Sequence, residues 1–169
     1  MISNLLRVHD LRVSFATEAG IAHVLDRVDF TIAKGEIVGL VGESGCGKTT
    51  LARTILGVLP ENSARIDSGV VEFEGENLLD KPSEELSDKI RGRAITFIPQ
   101  DPFSSFNPVF TIGTQIMELM KWKSPARDDP YYANSASRFW NGYPSTRYEA
   151  DKGRVLELLR EVQLPEPEA

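Results

Sequence analysis

The sequence has 169 residues, of which 41% are hydrophobic and 26% charged, and its formal net charge is −6. This composition predicts a globular domain with a core of its own, and the acidic balance argues against nucleic acid as a partner, because binding to a phosphate backbone requires a basic face. No apolar run approaches the roughly 18 residues that cross a bilayer, and the first residues form no signal peptide, so we expect a cytoplasmic protein. The single cysteine, Cys46, excludes a disulfide framework and a thiolate metal cluster.

Two alternating segments open the chain. Residues 5–15 place apolar side chains on one face, and a second run does so after a turn at 17–20. We predict two antiparallel strands with the following apolar faces: Leu11, Val13 and Phe15 in the first, and Val28, Phe30 and Ile32 in the second.

A glycine-rich segment then provides the most specific motif. Residues 42–50 fit the phosphate-loop pattern G-x-x-x-x-G-K-[ST] without a mismatch. The apolar run at 36–41 predicts a buried strand before the loop, and residues 51–59 show helical spacing after it, up to Pro60. A small-molecule P-loop kinase usually begins almost at its phosphate loop, so the two preceding strands disfavour that class.

The chemistry of the loop predicts a nucleoside triphosphate ligand. Its glycines let backbone N–H groups surround phosphate oxygens, and the positive end of the helix that starts near Gly47 faces the same anion. Lys48 can reach the β- and γ-phosphates, and the Thr49 hydroxyl can ligate Mg²⁺. The alternative is a glycine-rich turn without a ligand. The predicted contacts are Gly42, Glu43, Ser44, Gly45, Cys46, Gly47, Lys48, Thr49 and Thr50.

Three further elements are predicted before residue 100. Residues 70–74 indicate an edge strand, and residues 83–91 indicate a short helix that buries Leu86 and Ile90. Residues 94–98 then indicate a buried strand.

Gln100 follows that strand in a proline-bounded segment. Pro99 and Pro102 push the residues before them away from helical dihedrals, so Gln100 is presented on an extended segment. Its amide both donates and accepts, which suits a residue that senses a metal-bound water or a γ-phosphate. From the residues alone, a polar turn residue is the simpler interpretation.

The last third of the chain contains two predicted helices and an irregular stretch. Residues 111–122 predict an amphipathic helix, and residues 123–149 lack periodicity, which we interpret as a surface insertion. A last helix is predicted at 152–163. The expected buried residues are Ile112, Ile116, Leu119 and Met120 in the first helix, and Val155, Leu158, Leu159 and Val162 in the last.

Together these segments resemble the nucleotide-binding subunit of an ATP-binding cassette (ABC) transporter, in the dipeptide, oligopeptide and nickel importer branch. The resemblance rests on the two-strand preface, the loop at 42–50, the segment Phe-Ile-Pro-Gln-Asp-Pro-Phe-Ser-Ser-Phe-Asn-Pro at 97–108 and the segment Thr-Ile-Gly-Thr-Gln-Ile at 111–116. Phe106 stands where an aliphatic residue is expected.

The resemblance implies an α/β P-loop NTPase fold with an antiparallel β preface, an incomplete RecA-like core and the start of a helical subdomain. Residues 1–108 would form the nucleotide-binding core, and residues 109–169 the beginning of the helical subdomain with the 123–149 insertion.

The resemblance also implies the ligands and the partners. ATP and Mg²⁺ would bind, with Phe15 stacking on adenine and with Gln100 as the Q-loop residue beside the metal held by Thr49. From spacing alone, Phe15 is more simply a core residue on the face that it shares with Leu11 and Val13. The implied partners are membrane-spanning permease subunits and a second ATP-binding subunit, at the cytosolic face of the membrane.

Three motifs of the family are missing from the sequence. There is no apolar strand ending in Asp-Glu, no Leu-Ser-Gly-Gly-Gln signature and no switch histidine, since His9 and His23 both precede the phosphate loop. Asp80, after Leu78-Leu79, is the nearest candidate acid and is predicted to lie in a loop. We expect the amino-terminal part of a cassette subunit that ends before the signature, with unpaired strand edges and exposed apolar surface.

Two functions therefore remain open at this point. In the first, the chain is the ATP-binding portion of an importer ATPase, inactive in hydrolysis on its own. In the second, it is a non-catalytic nucleotide-binding module whose helices at 111–122 and 152–163 contact a partner.

Overall fold

A computed structural model describes residues 4–101, 105–133 and 142–164. The chain divides between Phe97 and Ile98 into two compact units, called here the first unit (residues 1–97) and the second unit (residues 98–169).

The first unit is built on a four-stranded antiparallel sheet in the order β2-β1-β3-β4. The predicted pairing of the first two strands is confirmed, with Val8 opposite Phe30 and Val13 opposite Leu25. The strand predicted at 70–74 is longer than expected and is not an edge strand, because it pairs along β1 and has β4 on its other side. The strands are β1 (Asn4–Thr17), β2 (Gly20–Ala33), β3 (Ala64–Phe73) and β4 (Glu76–Asn77).

The core of this unit lies against β1. Leu11, Val13 and Val71 are completely buried, and Phe15 packs at the margin of the same cluster. The helix after the phosphate loop, α1 (Lys48–Leu56), adds Leu51 to the cluster.

Helix α1 ends earlier than predicted. Gly57, with φ 63°, ends it in the left-handed conformation, three residues before Pro60. The amide of Gly57 bonds to Thr54 O at 3.0 Å and the amide of Val58 to Arg53 O at 2.9 Å, which is a Schellman cap. A glycine in the left-handed region therefore stops the helix before the proline can.

The predictions of buried strands at 36–41 and 94–98 are wrong. Neither segment forms a strand, apart from an isolated bridge between Arg91 and Ile95. Ile37 is 99% exposed and Ile98 is 89% exposed. A strand needs a neighbour to satisfy its backbone groups, and no described residue pairs with 36–41. The expected exposed apolar surface is therefore present.

The helix predicted at 83–91 is present in two parts. Helix α2 (Ser83–Glu85) continues into a five-residue π-helical turn, Leu86–Ile90. Leu86 and Ile90 are both buried, as predicted, and belong to the core cluster. Leu78 to Asp80 form a single 3₁₀ turn rather than a strand, in agreement with the predicted loop.

The regular elements described in the second unit are helices. A 3₁₀ turn at Pro125–Asp128 lies inside the predicted insertion, so part of the insertion is ordered, and Phe139 and Trp140 lie outside the described residues. None of the helices that the structure describes is both long and apolar enough to cross a membrane. The helices are α3 (Ile112–Lys123), α4 (Pro130–Ala133) and α5 (Ser145–Glu161).

The buried faces predicted in the second unit are wrong in part, since four of the eight predicted residues are half-buried and four are exposed. The half-buried residues are Ile116, Met120, Val155 and Leu159. On α3 the buried residues are Met117 and Lys121, and Ile112 and Leu119 are each 58% exposed. Helix α5 starts at Ser145, seven residues earlier than predicted, and buries Arg147 and Asp151, whereas Leu158 and Val162 are exposed. The two helices meet through polar groups, since Arg147 Nη2 donates to Lys121 O at 2.8 Å. A pattern of apolar residues could not predict this contact.

Candidate functional site

The phosphate loop is shaped by two glycines. Gly45 and Gly47 have φ values of 85° and 95°, in the left-handed region that favours glycine. A Cβ at Gly47 would lie 2.9 Å from Leu25 Cδ2 and 3.1 Å from Val24 O, so a larger residue here would have to shift the loop or its neighbours on β2. The loop therefore approaches β2 closely at the start of α1.

Lys48 is the centre of the loop's internal contacts. Its Nζ donates to Gly42 O at 2.8 Å and to Glu43 O at 2.6 Å, and lies 3.4 Å from Cys46 Sγ. The ammonium group is thus folded back over its own loop and attracted by backbone carbonyl dipoles. An incoming phosphate would compete with these carbonyls for the same three N–H donors of the amine.

The amino end of α1 is suited to an anion. Gly47, which precedes the helix, has no side chain that could cap it, and no acidic residue lies in the first turn. The first amides of a helix have no intrahelical acceptor and carry a partial positive charge. Together with Lys48, these amides fit a polyphosphate, and the exposed Thr49 places a hydroxyl beside them as a potential oxygen ligand for Mg²⁺.

Phe15 lies on the same strand pair that supports the loop. It is opposite Ala22 on β2 and two residues from Val13, whose partner Leu25 approaches Gly47. Phe15 is partly buried against the core, so part of its ring remains accessible. Its position is compatible with both predicted roles, a core residue and a stacking surface near the loop.

Gln100 is exposed and belongs to the second unit, whereas the phosphate loop belongs to the first. Residues 102–104 of the segment that carries the family resemblance lie outside the described residues. The structure therefore brings residues 42–50 together in one loop and leaves the relation of Gln100 to that loop as a prediction.

Gln115 organises the end of the segment that begins at Gln100, a role that the sequence pattern did not predict. Its Oε1 accepts from the amide of Asn107 at 2.9 Å, while its Nε2 donates to Asn107 O at 2.9 Å and to Phe110 O at 3.0 Å. The sequence feature that could have predicted this role is a glutamine in the first turn of a predicted helix that directly follows a loop.

No group of three or more histidine, cysteine, aspartate and glutamate side chains suited to a metal ion occurs in the described ranges. Thr49 could hold Mg²⁺ together with oxygens of a bound nucleotide and water, since this ion usually keeps several waters and binds substrate phosphates.

Comparison with known proteins identifies the family. The sequence matches the ABC transporter family over residues 25–168, which is most of the chain. The chain belongs to this family. It contains an ABC ATPase domain of the P-loop NTPase class, with the mixed α/β structure described above.

Several of its relatives are named as ATP-binding proteins of peptide transporters. A probable peptide ABC transporter ATP-binding protein of Sinorhizobium fredii is 37% identical over 164 residues, which is 97% of this chain and 43% of the relative. A dipeptide transport ATP-binding protein of Bacillus subtilis is 38% identical over 167 residues, 98% of this chain and 43% of the relative.

An oligopeptide transport ATP-binding protein of Salmonella typhimurium is 42% identical over 116 residues, 69% of this chain and 34% of the relative. The chain therefore spans less than half the length of these relatives.

Proposed function

We propose that this chain is the nucleotide-binding portion of the ATP-binding subunit of a peptide importer. It would bind ATP through residues 42–50, with Lys48 on the β- and γ-phosphates. The observation that carries the proposal is the position of Lys48 beside an uncapped helix end, within a loop that is free of acidic side chains from Ser44 to Thr50. The names of its relatives, all of them ATP-binding proteins, support ATP as the nucleotide and a peptide as the cargo.

Binding would require the loop to exchange one set of contacts for another. Lys48 Nζ would leave Gly42 O and Glu43 O and donate to phosphate oxygens, which are stronger acceptors because they are charged. The amides at the start of α1 would bind the same phosphates, and Thr49 would hold Mg²⁺, which supplies charge neutralisation between the phosphate groups. Phe15 would stack on the adenine ring, and Gln100 would approach the metal.

Hydrolysis of ATP requires further groups besides those that bind the phosphates. A phosphoryl-transfer site also needs a group that orients the attacking water, and none of the family's residues for that step occurs in the 169-residue sequence. We therefore propose that this chain binds ATP·Mg²⁺ without appreciable turnover. In an importer it would act with two permease subunits and a second ATP-binding subunit at the cytosolic face of the membrane.

Equilibrium binding of a fluorescent ATP analogue tests nucleotide recognition. We expect saturable, Mg²⁺-dependent binding that Lys48→Ala weakens at least about tenfold, since a charge-assisted hydrogen bond is worth roughly 1.5–3 kcal/mol. Lys34→Ala is the matched control, because Lys34 is exposed in the turn before the loop segment. Equal loss of binding in both variants would contradict the assignment.

A phosphate-release assay on the same preparations tests the second half of the proposal. We expect release no faster than in buffer alone. Turnover that disappears in Lys48→Ala would show that the chain does contain a competent hydrolytic site.

A further inference from the structure

The carboxyl end of the phosphate-loop helix is held by one side chain from a distant part of the sequence. Arg91 Nε donates to Leu56 O at 2.7 Å, and Arg91 Nη2 donates to Gly57 O at 2.5 Å. Leu56 is the last residue of α1, the helix whose first residue is Lys48. One guanidinium group therefore closes the end of α1 opposite the phosphate-binding turn.

These two carbonyls need a donor from outside the helix. The Schellman cap supplies donors to Arg53 O and Thr54 O only, so the next carbonyls depend on other groups. Arg91 provides them and also places a positive charge at the negative end of the helix dipole. A helix of nine residues is marginal without such tertiary contacts.

Gly57 lies close to the side chain of Arg91. A Cβ at Gly57 would lie 3.1 Å from Arg91 Nη2 and 2.9 Å from Leu86 Cδ1. The glycine that ends α1 thus also leaves space for the guanidinium group. The geometry of the cap and the position of Arg91 are coupled.

Arg91 is itself anchored to the segment that follows α2. Its backbone amide donates to Leu86 O at 2.8 Å and its Nη1 lies 3.4 Å from Ser83 Oγ. Arg91 also forms the isolated bridge with Ile95. The side chain therefore connects α1 to a second element, which contributes Leu86 and Ile90 to the core that it shares with α1.

We propose that Arg91 is a positioning residue for the nucleotide site. By holding the carboxyl end of α1, it fixes the direction of the helix and hence the positions of Lys48 and Thr49 at the other end. This inference rests on the proposed binding of nucleotide at 42–50. Arg91 does not touch the phosphates and acts only through α1.

Three variants separate this role from a general effect of charge. Arg91→Ala removes both hydrogen bonds, and Arg91→Lys keeps the charge and can restore one of them. Arg53→Ala is the matched control, because Arg53 is an exposed cation in the last turn of the same helix. It tests the effect of charge at the helix end without removing a donor to Leu56 O or Gly57 O.

Backbone hydrogen exchange is the measurement that does not require nucleotide. In Arg91→Ala we expect the amides of residues 51–58 to exchange about tenfold faster, with β1 unchanged, an intermediate effect in Arg91→Lys and none in Arg53→Ala. Equal acceleration in α1 and β1, or no acceleration, would overturn the proposal. If Arg91→Ala does not fold, the same comparison between α1 and β1 in Arg91→Lys decides the question.

ATP affinity then tests the consequence for the site. We expect Arg91→Ala to bind the fluorescent ATP analogue about three- to tenfold more weakly, with partial recovery in Arg91→Lys. Unchanged affinity in Arg91→Ala, in a protein that binds ATP, would overturn the positioning role. If the unaltered chain binds no ATP, the proposed function fails, and the exchange data alone decide whether Arg91 holds α1.

Discussion

The hydroxyl of Tyr143 donates to Asp151 Oδ2 at 2.7 Å, and the two residues are only 2% and 4% exposed. Asp151 accepts a second hydrogen bond, from Ser124 Oγ at 2.5 Å, and lies 3.7 Å from Arg147 Nε. The Arg147 guanidinium stacks over the Tyr143 ring at 4.7 Å. This buried polar cluster, formed by Ser124, Tyr143, Arg147 and Asp151, joins the end of α3 to α5.

Removal of the central carboxylate should destabilise the second unit strongly. Asp151→Ala leaves a buried guanidinium without its anion, so we expect a loss of about 3–5 kcal/mol. Tyr143→Phe removes one hydrogen bond and should cost about 1–2 kcal/mol. Urea unfolding followed by tryptophan fluorescence measures this unit selectively, because Trp122 and Trp140, the only two tryptophans, both belong to it.

Lys152→Ala is the control on the same helix. Lys152 is exposed, so the free energy of unfolding should change by less than about 0.5 kcal/mol. An Asp151→Ala variant as stable as this control would contradict the importance of the buried polar cluster.

The same hydrogen bond predicts a loss of stability at alkaline pH. Burial, and then the bond to Asp151, raise the pKa of Tyr143 well above its ordinary value of 10.0. Because the folded state holds this proton more tightly than the unfolded state does, its contribution is complete below pH 10.0 and is lost as the pH rises above that value. The stability difference between the unaltered chain and Tyr143→Phe should therefore shrink above pH 10.0, as measured by urea unfolding. A constant difference at all pH values would contradict this.

Gly47 and Gly45 provide a matched pair of substitutions in the phosphate loop. Both have positive φ, but a Cβ at Gly45 meets nothing within 4 Å, whereas one at Gly47 meets β2. Gly45→Ala should cost about 1–2 kcal/mol for the backbone conformation alone. Gly47→Ala should cost about 1–3 kcal/mol more, because it adds overpacking. The measurement is urea unfolding followed by circular dichroism, and equal losses in the two variants would show that the loop does not lie against β2.

The exposed apolar segment before the phosphate loop predicts association. Val41 is 94% exposed, so Val41→Thr should reduce aggregation, measured by light scattering against concentration, and change the free energy of unfolding by less than about 0.5 kcal/mol. Val71→Thr makes the same change at a completely buried position and should cost about 1–3 kcal/mol. A similar loss of stability in Val41→Thr would show that residue 41 is packed in solution.

Local sequence patterns predicted correctly the elements whose contacts are made by residues close to them in the sequence. The β1–β2 hairpin follows from the alternation of apolar and polar residues on both sides of a short turn. Leu11 and Val13, on its predicted apolar face, are completely buried in the core. The start of α1 follows from the loop pattern, because glycine permits the positive φ values that bring the chain into the helix. The burial of Leu86 and Ile90 was also predicted correctly, because their spacing places both side chains on one face of a helical turn.

Patterns failed where burial depends on a partner distant in the sequence. The apolar runs at 36–41 and 94–98 have the composition of buried strands, but no described segment of the chain pairs with the first of them. The predicted apolar stripes of α3 and α5 are exposed in part, at Ile112, Leu119, Leu158 and Val162, and these helices meet through Arg147 and Lys121.

The sequence by itself determined the family and the phosphate-loop pattern, and it predicts which residues would bind a nucleotide, because these depend on residue types at fixed spacing. Only the tertiary structure revealed that Lys48 donates hydrogen bonds to carbonyls of its own loop. It also revealed that Arg91 donates to the carbonyls at the carboxyl end of α1. Leu56 and Arg91 are separated by 35 residues, and no periodic pattern encodes a hydrogen bond between them. Such contacts arise from packing, which brings a donor to the few backbone carbonyls that a short helix leaves without partners.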